Sequence, residues 1–298
     1  MPPNARRPNP RSPPGLSTRS KCLRSSALRT FLVEPVRRYA ATLAGPGRDM
    51  PVGLLLVRQP RTTTNKPMGS VLVLAPDPDE ADALVRGFAR RGIHHEDVRM
   101  EALDCVSVPA LDMRIAVGGN GKAQYGIQAQ YLIDRCDGIE LLVCAGAAGR
   151  LTDGLQIGDI VLGTATVEHD YKERFNPRPS PRYDASPGVL RGFIRLAESM
   201  TFPFKVHFGV IASGDEDIVD PTRAVELRET TNALCVAWEG SGGARAARLN
   251  DIEFIELRGI TDGADGDAAR FFHDNVNDVM FNVAELLMAW SITRQSAA

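Results

Sequence analysis

The sequence predicts an α/β fold, a single domain with a mixed, mostly buried central sheet flanked by helices. Three observations carry that expectation. From residue 70 onward, continuous apolar runs alternate with amphipathic stretches, the pattern of strands covered on both faces by helices. The composition, 43% hydrophobic and 24% charged, is that of a globular chain. The last long segment places Phe272, Val276, Val279, Val283, Leu286 and Trp290 at alternating spacings of four and three, one apolar face on a 3.6-residue repeat.

The elements follow in order. Val71–Ala75 is apolar throughout and reads as a buried strand, and Glu80–Arg91 reads as the helix after it. Met113–Val117 is a second strand, running through the glycine-rich turn Gly118-Gly-Asn-Gly-Lys122 into a helix over Lys122–Cys136. Glu140–Ala145 and Asp159–Thr166 are strands, Gly188–Met200 a helix, Val206–Ala212 a strand and Thr222–Thr230 a helix. Ile252–Arg258 forms the final strand before the closing helix. The domain is drawn over 68–293, with 294–298 as a tail.

Residues 1–67 differ in kind. They hold 13 Lys or Arg against Glu34 and Asp49, and 11 of the 20 prolines. Such a segment buries too little apolar surface to offset its ordering entropy. It reads as a disordered tail, an Arg-rich organellar transit peptide, or translated sequence upstream of a start at Met68. The remainder carries 22 basic and 35 acidic residues. That acidic balance argues against nucleic acid as a partner, since phosphate neutralisation needs clustered cations. No apolar run approaches the roughly 20 residues of a membrane span. Five widely spaced cysteines with no CxxC pair argue against a disulfide framework or a zinc site and suit the reducing cytoplasm.

The familiar motifs fail one by one. The glycine-rich turn lacks the residues of a phosphate loop, and Gln124 occupies the third glycine of GxGxxG. His94-His95-Glu96-Asp97 sits in a polar connection without a second ligand group, so no metal is expected. No GxSxG nucleophile elbow is present. Carboxylates at strand ends remain, where open α/β sheets build their sites.

Three segments stand out together: Leu74-Ala-Pro-Asp-Pro-Asp-Glu80, Leu142-Val-Cys-Ala-Gly-Ala-Ala-Gly149, and Phe254-Ile-Glu-Leu-Arg-Gly-Ile-Thr-Asp262. With Ser213-Gly-Asp215, His169-Asp170 and Val236-Ala-Trp-Glu239-Gly, this ordered series over about 70–290 resembles the nucleoside phosphorylase and methylthioadenosine/S-adenosylhomocysteine nucleosidase family. The resemblance implies cleavage of an N-glycosidic bond in a purine nucleoside or 5′-substituted adenosine, without metal or organic cofactor, by a homodimer or larger homo-oligomer.

It also assigns roles. Asp262 would protonate the leaving purine, which requires a raised pKa; its bland reading is a helix N-cap. Glu80 stands where the phosphorylases carry a phosphate-gripping Arg, and would hold the attacking water as the nucleosidases' Glu does. Its neighbour Asp79 is a rival for that role, and a first-turn acid facing the helix dipole is the bland reading. Cys144 and Ala147 replace further phosphate ligands, so hydrolysis is favoured. A phosphorylase using Arg150 or Arg258 is the alternative, and a nucleoside-binding sensor without turnover is another. Glu239 would bind the ribose hydroxyls. Trp238 would pack under the sugar or sit in the core. Ile218 would lend backbone groups to the purine edge, with Ala147, Gly149 and Ser213 counted among the substrate-binding positions. Ala237, Asp217 and Asn120 depart from the family pattern and make the base and 5′ pockets more polar.

Overall fold

The computed structural model describes residues 70–296; the readings made for 1–67 lie outside them. Ten strands form one sheet. In chain order the elements are β1 (Ser70–Ala75), α1 (Pro78–Arg90), β2 (Glu96–Val98), β3 (Cys105–Val108), β4 (Met113–Val117), α2 (Lys122–Arg135), β5 (Ile139–Arg150), β6 (Ile160–Glu168) and β7 (Arg182–Asp184). There follow α3 (Pro187–Ser199), β8 (Val206–Ser213), α4 (Pro221–Thr231), β9 (Ala233–Ala237), α5 (Gly240–Leu249), β10 (Glu253–Asp262) and α6 (Ala268–Ser296).

The sheet runs β10-β6-β8-β9-β5-β1-β4-β3-β2, and β10 also pairs with β5. Five strands therefore close on themselves, and β1, β4, β3 and β2 extend from β5 as an open wing. Parallel pairs (β5 with β1 and β10) and antiparallel pairs (β5 with β9, β6 with β10) coexist, so the sheet is mixed as expected.

Alternation along the strands divides the core. Val71, Val73, Leu141, Val143, Ile255 and Leu257 pack against α1, α3 and α6 on one face. Leu72, Leu74, Leu142, Cys144 and Phe254 face α2 and α5 on the other, as the two-residue period of a strand requires. In the closing helix Val276, Val279, Val283, Leu286 and Trp290 are buried, and Trp290 stacks on Phe193 of α3 at 4.8 Å. The helix continues to Ser296, past the boundary drawn at 293.

The end of β5 and all of α5 were not foreseen, and both are rich in glycine. β5 runs on through Gly146-Ala-Ala-Gly149-Arg150 instead of ending at Ala145. α5 begins at Gly240-Ser-Gly-Gly, a sequence of poor helix propensity. There a Cβ on Gly242 would lie 2.2 Å from the Lys122 carbonyl oxygen, so close packing of α5 on α2 demands the glycine. The short β2, β3, β7 and β9 also escaped prediction. None of the helices among the described residues is long and apolar enough to cross a membrane.

Candidate active site

A cavity of about 410 Å³ opens where β5, β9 and β10 end, walled by the start of α1, the 216–219 loop and the start of α6. Its lining includes Glu80, Ala147, Gly149, Ile218, Trp238, Glu239 and Asp262. Of the eight positions assigned a catalytic or substrate-binding role from the sequence, only Ser213 is missing. The two carboxylates on which the mechanism depends share one chamber.

Glu80 reaches this place through a helix start. Asp77 caps α1 by accepting from the Asp79 N–H, and the Asp77 N–H donates back to Glu80 Oε2 at 2.9 Å. This reciprocal capping box turns the carboxylate inward, where Oε1 accepts from the Ala147 N–H at 2.6 Å. Burial raises its pKa to about 7; nearby Glu239 adds to the shift, while the two N–H donors and Arg258 oppose it. The first-turn reading was correct as local structure, and the capping geometry directs the same side chain into the cavity. Asp79 is exposed and does not line it.

Asp262 ends β10 opposite Gly149 of β5. Its Oδ1 accepts from the Ala264 N–H at 2.9 Å and Oδ2 from the Thr261 hydroxyl at 2.8 Å. Burial raises its pKa, with those two bonds opposing the shift. A Cβ at Gly149 would stand 2.8 Å from Asp262 Oδ1, and one at Gly146 would stand 2.7 Å from an Arg258 nitrogen. The small residues that end the apolar run after Ala145 are thus the space in which charged side chains sit.

Arg258 is the cation beneath the chamber, 1% exposed. Nε donates to Glu256 at 2.9 Å, Nη1 to the Ala147 carbonyl at 3.3 Å, and Nη2 to Glu239 at 3.0 Å and the Cys144 sulfur at 3.3 Å. Glu239, on the turn after β9, also accepts from the Gly121 N–H at 3.3 Å, which ties the glycine-rich turn to the site. Burial raises its pKa against the pull of Arg258.

Trp238 is half-buried on the cavity wall, with Nε1 donating to the Glu216 carbonyl at 3.1 Å. Ser213 is the correction. It is fully buried and does not line the cavity. Its hydroxyl donates to the Trp238 carbonyl at 2.8 Å and accepts from the Ser241 N–H at 3.0 Å, so it holds the turn that presents Trp238 and Glu239. Sequence reading missed Phe272 as a wall residue, because a residue on the apolar stripe of a helix reads as core.

The two arginines considered as substitute phosphate ligands differ in their place. Arg258 is spent on the partners above, and Arg150 donates to the Leu155 carbonyl at 2.9 Å and does not line the cavity. The His94–Asp97 cluster falls at exposed β2, and no group of three or more metal-ligating side chains occurs among the described residues.

A family model described as "Phosphorylase superfamily" matches residues 70–290. The chain belongs to this superfamily. A 5′-methylthioadenosine/S-adenosylhomocysteine nucleosidase of Thermotoga maritima is 26% identical over 151 residues, covering 50% of this chain and 64% of the relative. The match therefore spans just under two thirds of that relative's length. Among solved structures, futalosine hydrolase of Helicobacter pylori superposes with a TM-score of 0.67 at 20% identity, covering 76% of this chain and 98% of that one. The 5′-methylthioadenosine/S-adenosyl homocysteine nucleosidase of the same organism gives 0.67 at 21% identity, covering 76% and 100%. The fold read from the sequence is thus the one found, and the curated relatives are N-glycosidic hydrolases, the enzyme class that the motifs suggested.

Proposed function

We propose that this chain hydrolyses the N-glycosidic bond of a purine nucleoside or 5′-substituted adenosine. The observation that carries the reading is that Glu80 and Asp262 line one chamber with Glu239. Glu80 is held by the Ala147 N–H and Asp262 is paired in register with Gly149, so both side chains enter the cavity from the same end of β5. Two carboxylates in one chamber can divide the work, one holding the attacking water while the other protonates the leaving group.

Asp262 is the general acid. Burial favours its protonated form, which donates to the departing base as negative charge builds there. Glu80, ionised, accepts the proton of the water that attacks the anomeric carbon. Glu239, held by Arg258, accepts from the ribose hydroxyls, and Trp238 supplies an apolar wall for the sugar. Ala147 and Gly149 give the substrate room, and Ile218 offers backbone groups at the purine edge. The free Cys105, Cys136, Cys144 and Cys235 support a reducing compartment for the reaction, cytoplasmic or organellar, and the family resemblance supports self-association, which light scattering measures.

The test is release of free base from 5′-methylthioadenosine, S-adenosylhomocysteine, adenosine and inosine, separated by chromatography. Release at the same rate with and without phosphate supports hydrolysis. A strict phosphate requirement makes the chain a phosphorylase, and binding without release makes it a nucleoside sensor.

A further inference from the structure

Glu256, on β10, is a buried carboxylate for which the proposed chemistry has no step. It does not line the cavity, so any influence on a substrate must pass through a neighbour. A carboxylate in such a place is costly unless it is paired and hydrogen-bonded. Glu256 is both: Oε1 accepts from Arg258 Nε at 2.9 Å, and Oε2 accepts from the Thr166 hydroxyl on β6. The fold also clears room for it, since a Cβ at Gly240, the first residue of α5, would overlap the Glu256 carboxylate.

The neighbour is Arg258. With Nε turned to Glu256, the two Nη groups are left for the chamber, where Nη1 donates to the Ala147 carbonyl and Nη2 to Glu239. Ala147 in turn gives its N–H to Glu80, which also accepts from the Asp77 N–H. One guanidinium therefore serves both the residue proposed to bind ribose and the one proposed to hold water. The titratable groups around it are Glu256, Glu239, Glu80 and the Cys144 thiol, with Tyr125 beside that thiol. Burial pushes Cys144 and Tyr125 upward, so both stay neutral. Three carboxylates thus share one cation.

We propose that Glu256 is a positioning residue of the hydrolytic site, aiming the Nη groups of Arg258 at the chamber and offsetting the charge that Arg258 presents to Glu80. The inference rests on Glu80 and Asp262 carrying out the hydrolysis proposed above. Without Glu256 the cation acts on Glu80 more strongly, which favours the ionised carboxylate.

Glu256→Gln tests the charge. It keeps the side chain's size and an acceptor for Arg258, and Glu239 remains as counter-ion. The acid limb of base release from 5′-methylthioadenosine, set by Glu80 near pH 7, is expected to move down by about one pH unit. Glu256→Asp, which keeps the charge, is expected to return the limb to within about 0.3 unit of wild type. Glu256→Met also removes the acceptor, so the same downward shift is expected together with about a tenfold rise in KM, and it decides the matter should Glu256→Gln not fold. An unmoved limb in the charge-free variants, an equal shift in Glu256→Asp, or an unchanged KM in Glu256→Met overturns the proposal. Carboxyl 13C NMR reads the Glu80 titration without turnover, its resonance identified by loss in Glu80→Gln. Should wild type release no base, the hydrolytic reading falls. A Glu80 midpoint about one unit lower in Glu256→Gln then still supports the link between the two residues, and an unchanged midpoint overturns it.

Discussion

At the floor of the cavity the charges are closed upon one another; at its rim they are open. Arg258, Glu256 and Glu239 form a buried chain of ion pairs, with Glu80 against the same backbone at Ala147. Asp217 and Asn120, at the mouth, touch water and no protein partner among the described residues. The difference separates two tasks. A closed, desolvated network fixes geometry and shifts proton affinities, which chemistry needs. An open rim costs little to alter, so substrate choice can change there without disturbing the reaction.

Breaking the floor is expected to have the largest effect. Arg258→Met leaves Glu239 and Glu256 as buried charges without a counter-ion, a loss of about 3–5 kcal/mol that urea denaturation reads directly. A loss below about 1 kcal/mol would show that the ion-pair chain does not hold the floor. Glu80→Gln keeps the shape and removes the proton acceptor, so base release is expected to fall about 10²-fold or more. Release near the wild-type rate would pass the role to another group.

The pH dependence sharpens the same contrast. With its pKa at about 7, Glu80 is ionised above that value, so base release is expected to decline as pH falls below about 7. That limb is absent in Glu80→Gln. Stability moves in the opposite sense, because a folded-state pKa raised above the ordinary 4.5 means that the folded state holds the proton more tightly. The stabilisation from the protonated form is full below about pH 4.5 and is lost as pH rises through about 7. The urea midpoint is expected to decline over this window, and more shallowly in Glu80→Gln. At the rim the effect is smallest. Asn120→Ala is expected to change KM about threefold or less, with the melting temperature unaffected, and a change as large as that of Glu80→Gln would erase the distinction between floor and rim.

The elements most legible in the sequence were those whose local chemistry agrees with their surroundings. β4 and the start of α2 fall where periodicity and the glycine turn put them, while α1 starts at Pro78, two residues before the expected Glu80, because Asp77 caps it. Legibility failed where tertiary contact overrides local preference. The end of β5 carries no strand signal because Arg258 and Asp262 occupy the space its side chains would need, and α5 carries no helix signal because α2 presses on Gly242. Within the site, the carboxylates were visible because ordered motifs carry them. Ser213 was misplaced because a motif position does not say whether a hydroxyl faces a substrate or the neighbouring turn. The partnerless state of Asp217 could not be read at all, since it depends on which side chains fold toward it.

The most direct test of the proposed reaction is Asp262→Asn, assayed for both base release and nucleoside binding. An amide can occupy the carboxyl's place beside Thr261 and Ala264 but cannot act as the acid. Base release is expected to fall about 10²–10⁴-fold, with Kd for 5′-methylthioadenosine within about threefold of wild type. Release at close to the wild-type rate would contradict the assignment of Asp262 as the group that protonates the leaving base.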